Sequence, residues 1–159
     1  MSEILDKLSS YNLFNYLLPG VIFVFLTEIF TGISIHHDEV IVMFFIYYFI
    51  GSVISRIGSI FIEPILKKFS KHAPYKDYLE ASKADETIQI FSEQNNMYRT
   101  FISMSVCLIL VFIYDANAAK MVFLSGSIHY LLIGMLLVLF VLAYRKQTMY
   151  IRKRIKSNN

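Results

Sequence analysis

The sequence predicts an all-α membrane protein with four transmembrane helices arranged as two hairpins. Three observations predict it. First, four apolar runs, about 13–35, 39–62, 96–114 and 121–144, carry almost no charge. A helix crosses a hydrocarbon core of about 30 Å in about 20 residues, so runs of about 18 or more read as spans. The third run is the shortest, and it reaches spanning length by starting upstream near Asn95. Second, 56% of the 159 residues are hydrophobic and only 17% are charged, with a mean hydropathy of +0.53. Soluble domains carry near 25% charge, and no large water-soluble core remains once four spans are subtracted. Third, thirteen of the fifteen basic residues fall in three places: Lys7, the segment Lys67–Arg99, and the tail after Tyr144. Arg56 lies within a span and Lys120 lies on the other side. Positive loops stay in the cytoplasm, so both termini and the central segment are expected there. The outer turns are then short, Ser34–Asp38 and Asp115–Lys120.

The N-terminal residues alternate acid and base (Glu3, Asp6, Lys7), without the basic start or cleavage site of a signal peptide. The first span is therefore expected to be retained. Tyr11, Asn12, Asn15 and Tyr16 suit the headgroup region, and Pro19–Gly20 then interrupts the run. Proline removes a backbone hydrogen bond unless it sits in a first turn. Two readings stand: a short interfacial helix bending near Pro19 into the span, or one kinked helix.

In the second span Gly51, Ser55 and Ser59 fall at i, i+4 and i+8, a stripe of small residues on one face. Small stripes let helices approach closely; a tight helix contact and a pore lining both fit. Glu63–Pro64 is expected to end this helix. Residues 64–95 form a cytoplasmic helical segment, with a basic aromatic connector at Lys67–Tyr75 and a short helix over Asp77–Ala84. Asp85 is a plausible N-cap for a helix opening at Glu86. Ile88, Phe91, Asn95, Tyr98 and Ile102 recur at three- and four-residue steps, so this helix should run into the third span. The fourth should likewise continue as a basic amphipathic tail, residues 145–159, on the stripe Tyr144, Thr148, Ile151 and Ile155.

Function is sought in polar groups held at membrane depth. Counted from the outer ends, Glu28, Tyr47, Tyr48, His129 and Tyr130 share a layer about 10–13 Å deep. An ionised carboxylate there costs several kcal/mol unless paired or wetted. Glu28 thus belongs either to a buried network with His129 or a tyrosine hydroxyl, or to a polar ring on a cation path. Nearer the cytoplasm, Arg56 is expected to bond a carbonyl, Glu63 or Glu93, with Asn95, Asn96 and Arg99 at similar height. On the cytoplasmic face Lys67, Lys68, Lys71, Tyr75, Lys76 and Arg99 form a candidate surface for a ligand or partner. Lysines there meet phosphates and aromatic rings stack bases, and anionic headgroups satisfy the same lysines.

The sequence lacks a P-loop, GxGxxG, GxSxG and HExxH. Cys107 has no partner cysteine, and His36–His37 reads as a solvated turn. No enzyme, metal or cofactor is expected. A thin bundle needs partners to cover its polar faces, so a homo-oligomer is expected, a tetramer by preference.

The strings YNLFNYLLPG (Tyr11–Gly20), SRIGSIFIEP (Ser55–Pro64), APYKDYLEASK (Ala73–Lys83) and NNMYRTF (Asn95–Phe101) together resemble small four-span bacterial membrane proteins of anti-phage defence operons. Within that group the chain looks like the Hailong-type transmembrane effector, and secondly like the Kiwa membrane component. The first resemblance implies an inner-membrane channel controlled by an oligodeoxyadenylate from a partner nucleotidyltransferase. The second implies an oligomer that recruits a cytosolic DNA-binding protein. The resulting expectation is an oligomeric, signal-gated channel-like effector, with a membrane sensor or scaffold as the alternative. Candidate pore or buried-network residues are Glu28, Tyr47, Gly51, Ser55, Arg56, Ser59 and His129.

Overall fold

A computed structural model describes residues 13–70, 73–118 and 128–157, with the side chains of Ile128, His129 and Ser157 excepted. Lys71, His72, Lys120 and the expected start of the fourth span at 121–127 lie outside the described residues, as does the His129 side chain. The described chain is helical. Helix α1 spans Leu13–Phe30, α2 Val40–Phe69, α3 Tyr75–Ala84, α4 Thr87–Asn117 and α5 Ile128–Ser157. Helices α1, α2, α4 and α5 are long and apolar enough to cross a membrane, as multi-pass membrane proteins require. Their apolar side chains stay largely outward: Phe25 is 60% exposed, Phe45 65% and Leu137 67%. In water that surface would drive aggregation; in lipid it costs nothing.

Both prolines of the long helices are absorbed in the same way. A five-residue π-helical turn, Leu13–Leu17, ends two residues before Pro19, and another, Gly58–Ile62, ends two residues before Pro64. A proline ring collides with the carbonyl four residues back and donates no hydrogen bond. The wider turn moves that carbonyl aside, and such local adjustment lets membrane helices keep prolines. The expected stop at Glu63–Pro64 is therefore corrected: α2 continues to Phe69. At Pro19 the helix is continuous from Leu13 to Phe30 rather than two separate helices. The first run does not stay helical to residue 35. Thr31 adopts an extended backbone, its hydroxyl donates to the Thr27 carbonyl at 2.7 Å, and the chain leaves the helix there.

Helices α1 and α2 touch backbone to backbone at Gly20 and Gly51. A Cβ on Gly20 would lie 1.8 Å from the Tyr47 carbonyl oxygen, and one on Gly51 1.7 Å from that of Tyr16. Around this crossing Val24, Thr27 and Asn15 are almost wholly buried. Gly58 plays a milder version of the same part against α4, where a Cβ would stand 3.1 Å from Ser103 Cβ. The apolar centre is Ile54, Met104 and Leu108, flanked by Ile22, Leu26 and Phe101. Helix α5 stands apart: 6% of its spanning window is buried, against 28% for α1 and 22% for α2 and α4. Leu139 is its one buried apolar side chain among the described residues.

The helix expected to open at Glu86 opens one residue later, at Thr87, with Glu86 in the cap position and Asp85 just before it. Asp85 Oδ1 accepts the Thr87 backbone N–H at 2.9 Å, satisfying one of the donors that a helix start leaves open. Bonding to Thr87, first through its side chain and then through its backbone, holds the Asp85 carboxyl below its ordinary pKa.

Candidate functional site

Two polar centres sit within the bundle. The first joins α1, α2 and α4. Asn15 Nδ2 donates to Ser55 Oγ at 3.4 Å. The Thr100 hydroxyl lies 3.0 Å from Asn15 Oδ1, 3.3 Å from Ser55 Oγ and 2.9 Å from the Asn96 carbonyl, and its single proton serves one of them at a time. Asn15, Ser55 and Thr100 are all buried. One turn farther from Glu63, Ser103 Oγ donates to the Ile54 carbonyl at 2.9 Å. These are neutral groups that satisfy one another, an arrangement suited to fixing three helices together rather than to moving charge.

The second centre is a charged node at the basic end of the bundle, built around Glu63. Glu63 Oε2 accepts from Arg99 Nη1 at 2.9 Å and from Lys146 Nζ at 2.7 Å. Glu63 Oε1 accepts from Lys67 Nζ at 2.5 Å and from the Tyr150 hydroxyl at 3.2 Å. Lys146 Nζ also donates to Ser59 Oγ at 2.9 Å and to the Ser59 carbonyl. One carboxylate thus connects α2, α4 and α5. The side chains of Glu63 and Arg99 are 14% and 15% exposed, while Lys67 is 45% exposed. The Arg99 and Lys146 arms are therefore largely desolvated and costly to break from one side, and the Lys67 arm is close to a surface pair. The Lys146 ammonium stands 5.8 Å from the Tyr150 ring centroid. Tyr75 of α3 packs on Tyr150 with centroids 6.2 Å apart, so the short helix outside the span touches the node's own tyrosine.

The predicted site residues divide among these places. Gly51 and Ser55 sit in contacts within the chain, Gly51 at the α1 crossing and Ser55 in the neutral centre. Ser59 meets Lys146, and Tyr47 lends its carbonyl to the Gly20 contact. Arg56 is corrected: its Nη2 donates to the Tyr16 hydroxyl at 3.4 Å, and Arg99 takes the Glu63 carboxylate instead. Seven helical residues separate Arg56 from Glu63, about 10 Å along the axis, which puts the two at different heights. Glu28 Oε1 accepts the Ile35 backbone N–H at 2.9 Å, tying α1 to the turn that follows it. Of the candidate ligand surface, Lys67 and Arg99 meet at Glu63, and Tyr75 reaches it through Tyr150. Lys68 and Lys76 are exposed away from the node, Lys76 with Glu80 at 3.9 Å. Lys146, Tyr150 and Thr100 were not singled out by the sequence. The i, i+4 spacings Glu63–Lys67 and Lys146–Tyr150 were the available signal.

Among the described residues, no group of three or more His, Cys, Asp or Glu side chains converges to hold a metal. No family model, no curated protein and no solved structure matches the chain.

Proposed function

We propose that the chain is an oligomeric, channel-like effector of the bacterial inner membrane, opened by a cytosolic signal in anti-phage defence. One observation carries this reading: α5, the helix least embedded in the bundle, is joined to it at a charged node that also touches the segment outside the span. Such a node is a latch. A ligand or partner that competes for Lys67, Arg99 or Tyr75 weakens the hold of Glu63 on Lys146, and α5 is then free to repack. The uncovered apolar flank of α5 is the surface on which copies of the chain meet or part. Ions pass between subunits when it moves, with Glu28 the acidic group toward the far end.

Membrane depolarisation during expression tests the reading. Glu63→Gln and Lys146→Ala depolarise cells without the trigger if the node is a latch, whereas Lys76→Ala does not. Glu28→Gln and Arg56→Ala report whether those side chains take part in conduction. Absence of ion flux in every variant, with the neighbouring operon partner activated, removes the channel. A second reading, a scaffold that captures a cytosolic protein, draws on Ile90 and Phe91, which are about half exposed on the polar first turns of α4. Capture of an operon partner that depends on these two residues, with no flux, selects it.

A further inference from the structure

Charge at the basic end does not balance. Arg99, Lys146 and Lys67 share one carboxylate, that of Glu63. Arg56 meets the neutral Tyr16 hydroxyl and, among the described residues, no carboxylate within bonding distance. Three cations thus stand around one anion, and Arg56, about two turns farther along α2, is a fourth. Arg99 Nε is in addition buried without an acceptor. Cations held away from water are costly unless countercharge is supplied.

A shallow cleft of about 20 Å³, room for about one water molecule, opens beside this group between α2 and α5, lined by Arg56, Ser59, Lys146, Gln147 and Tyr150 with two apolar side chains. Its polar wall offers guanidinium, ammonium, carboxamide and hydroxyl groups, and no carboxylate. Such a wall suits a ligand that only accepts hydrogen bonds and carries negative charge. Farther along the same face of α5, Leu132, Ile133 and Phe140 are exposed, an apolar track leading away from the cleft.

We propose that this cleft receives a phosphate oxygen of an anionic membrane phospholipid, the rest of the headgroup lying over its mouth and the acyl chains along α5. Arg56 supplies the principal hydrogen bonds. Lys146, whose ammonium is already held by Ser59 and Glu63, contributes charge, and the Ser59 hydroxyl and Gln147 amide complete the set, the Tyr150 proton being given to Glu63. The site rests on the multi-pass membrane reading and is independent of ion conduction, because it is read by lipid retention alone.

The test uses the full chain in nanodiscs of equal phosphatidylglycerol and phosphatidylcholine, followed by native mass spectrometry of the lipid that stays bound. The wild type retains phosphatidylglycerol preferentially. Arg56→Gln lowers that preference about fivefold, the effect of one cation near a lipid surface at about 1 kcal/mol. Arg56→Lys, which keeps the charge, stays within about twofold of the wild type, and so does Lys76→Gln, outside the cleft. Melting temperatures taken alongside separate lost binding from lost folding. Equal retention of the two lipids by the wild type overturns the proposal, as does an unchanged preference in folded Arg56→Gln. Displacement of the lipid by millimolar inorganic phosphate assigns the cleft to a soluble anion and overturns it too.

Discussion

Substituting Gly51 by alanine is the sharpest probe of how this bundle is held. The added Cβ would lie 1.7 Å from the Tyr16 carbonyl oxygen, and real Cβ atoms essentially never come within 3.0 Å of a neighbour. Backbone lies on both sides, so no flexible side chain absorbs the collision; α1 and α2 must separate by about 1.3 Å. A gap of about 0.5–1 Å already forfeits a quarter to a half of each dispersion contact, and overpacking of this kind costs about 1–3 kcal/mol. Separation also stretches the Asn15–Ser55 bond, which is 3.4 Å long to begin with, and loosens Asn15 from Thr100. Hydrogen bonds between membrane helices are worth about 0.6 kcal/mol each on average. The expected total is a destabilisation of about 3 kcal/mol. Unfolding free energy measured in mixed micelles or by steric trapping in bicelles is the readout. Gly134→Ala is the matched control: its Cβ would meet nothing within 4 Å. Losing a helical glycine there should leave stability unchanged or raise it by up to about 1 kcal/mol. If Gly51→Ala and Gly134→Ala lie within about 0.5 kcal/mol of each other, the close crossing is not what holds α1 to α2.

Other expectations follow from the polar centres. Glu63→Gln removes the charge that Arg99 and Lys146 share while keeping an acceptor, and should destabilise by about 2–3 kcal/mol. Cysteine cross-linking between α2 and α5 should fall in that variant. Thr100→Val keeps the volume and deletes the hydroxyl, at a cost of about 1–2 kcal/mol in the same unfolding assay. Its backbone secondary structure, followed by circular dichroism, should not change. The Asp85 carboxyl has a folded-state pKa below its ordinary 3.8, so its capping contribution is complete above about pH 4 and disappears as the pH falls further. The protection factor of the Thr87 amide, its exchange relative to an unprotected amide at the same pH, should fall on that acid side, and Asp85→Ala should show faster exchange than the wild type at neutral pH.

The spans were legible because lipid imposes a simple rule on sequence: a long run without charge. The start of α4 was legible as well, since Asp85 followed by an apolar three- and four-residue rhythm is local information. Pro64 misled because a proline reads as a helix stop, whereas the turn that accommodates it has no residue signature of its own in Gly58–Ile62. The charged node was not legible as a unit. Glu63 finds Lys146 and Tyr150 on a helix 83 and 87 residues further along the chain, and no local pattern reports that pairing. Arg56 drew attention for its depth, yet its height along α2 puts it beside Tyr16 and leaves Glu63 to Arg99. The small-residue stripe carried real information about close approach, but its three members serve three different neighbours. A stripe defines a face without saying who occupies it.

The widened turn at Gly58–Ile62 has a consequence for register. A helix advances about 100° per residue, so one surplus residue in a turn rotates everything after it relative to everything before. Arg56 and Ser55 are aimed by one phase of α2, and Glu63 and Lys67 by another. Deleting a single residue there would restore an ordinary helix and swing the Glu63 carboxylate about a quarter-turn from Arg99 and Lys146. Turns of this kind inside α-helices cluster at functional sites, and this one sets the angle at which α2 presents its charged end.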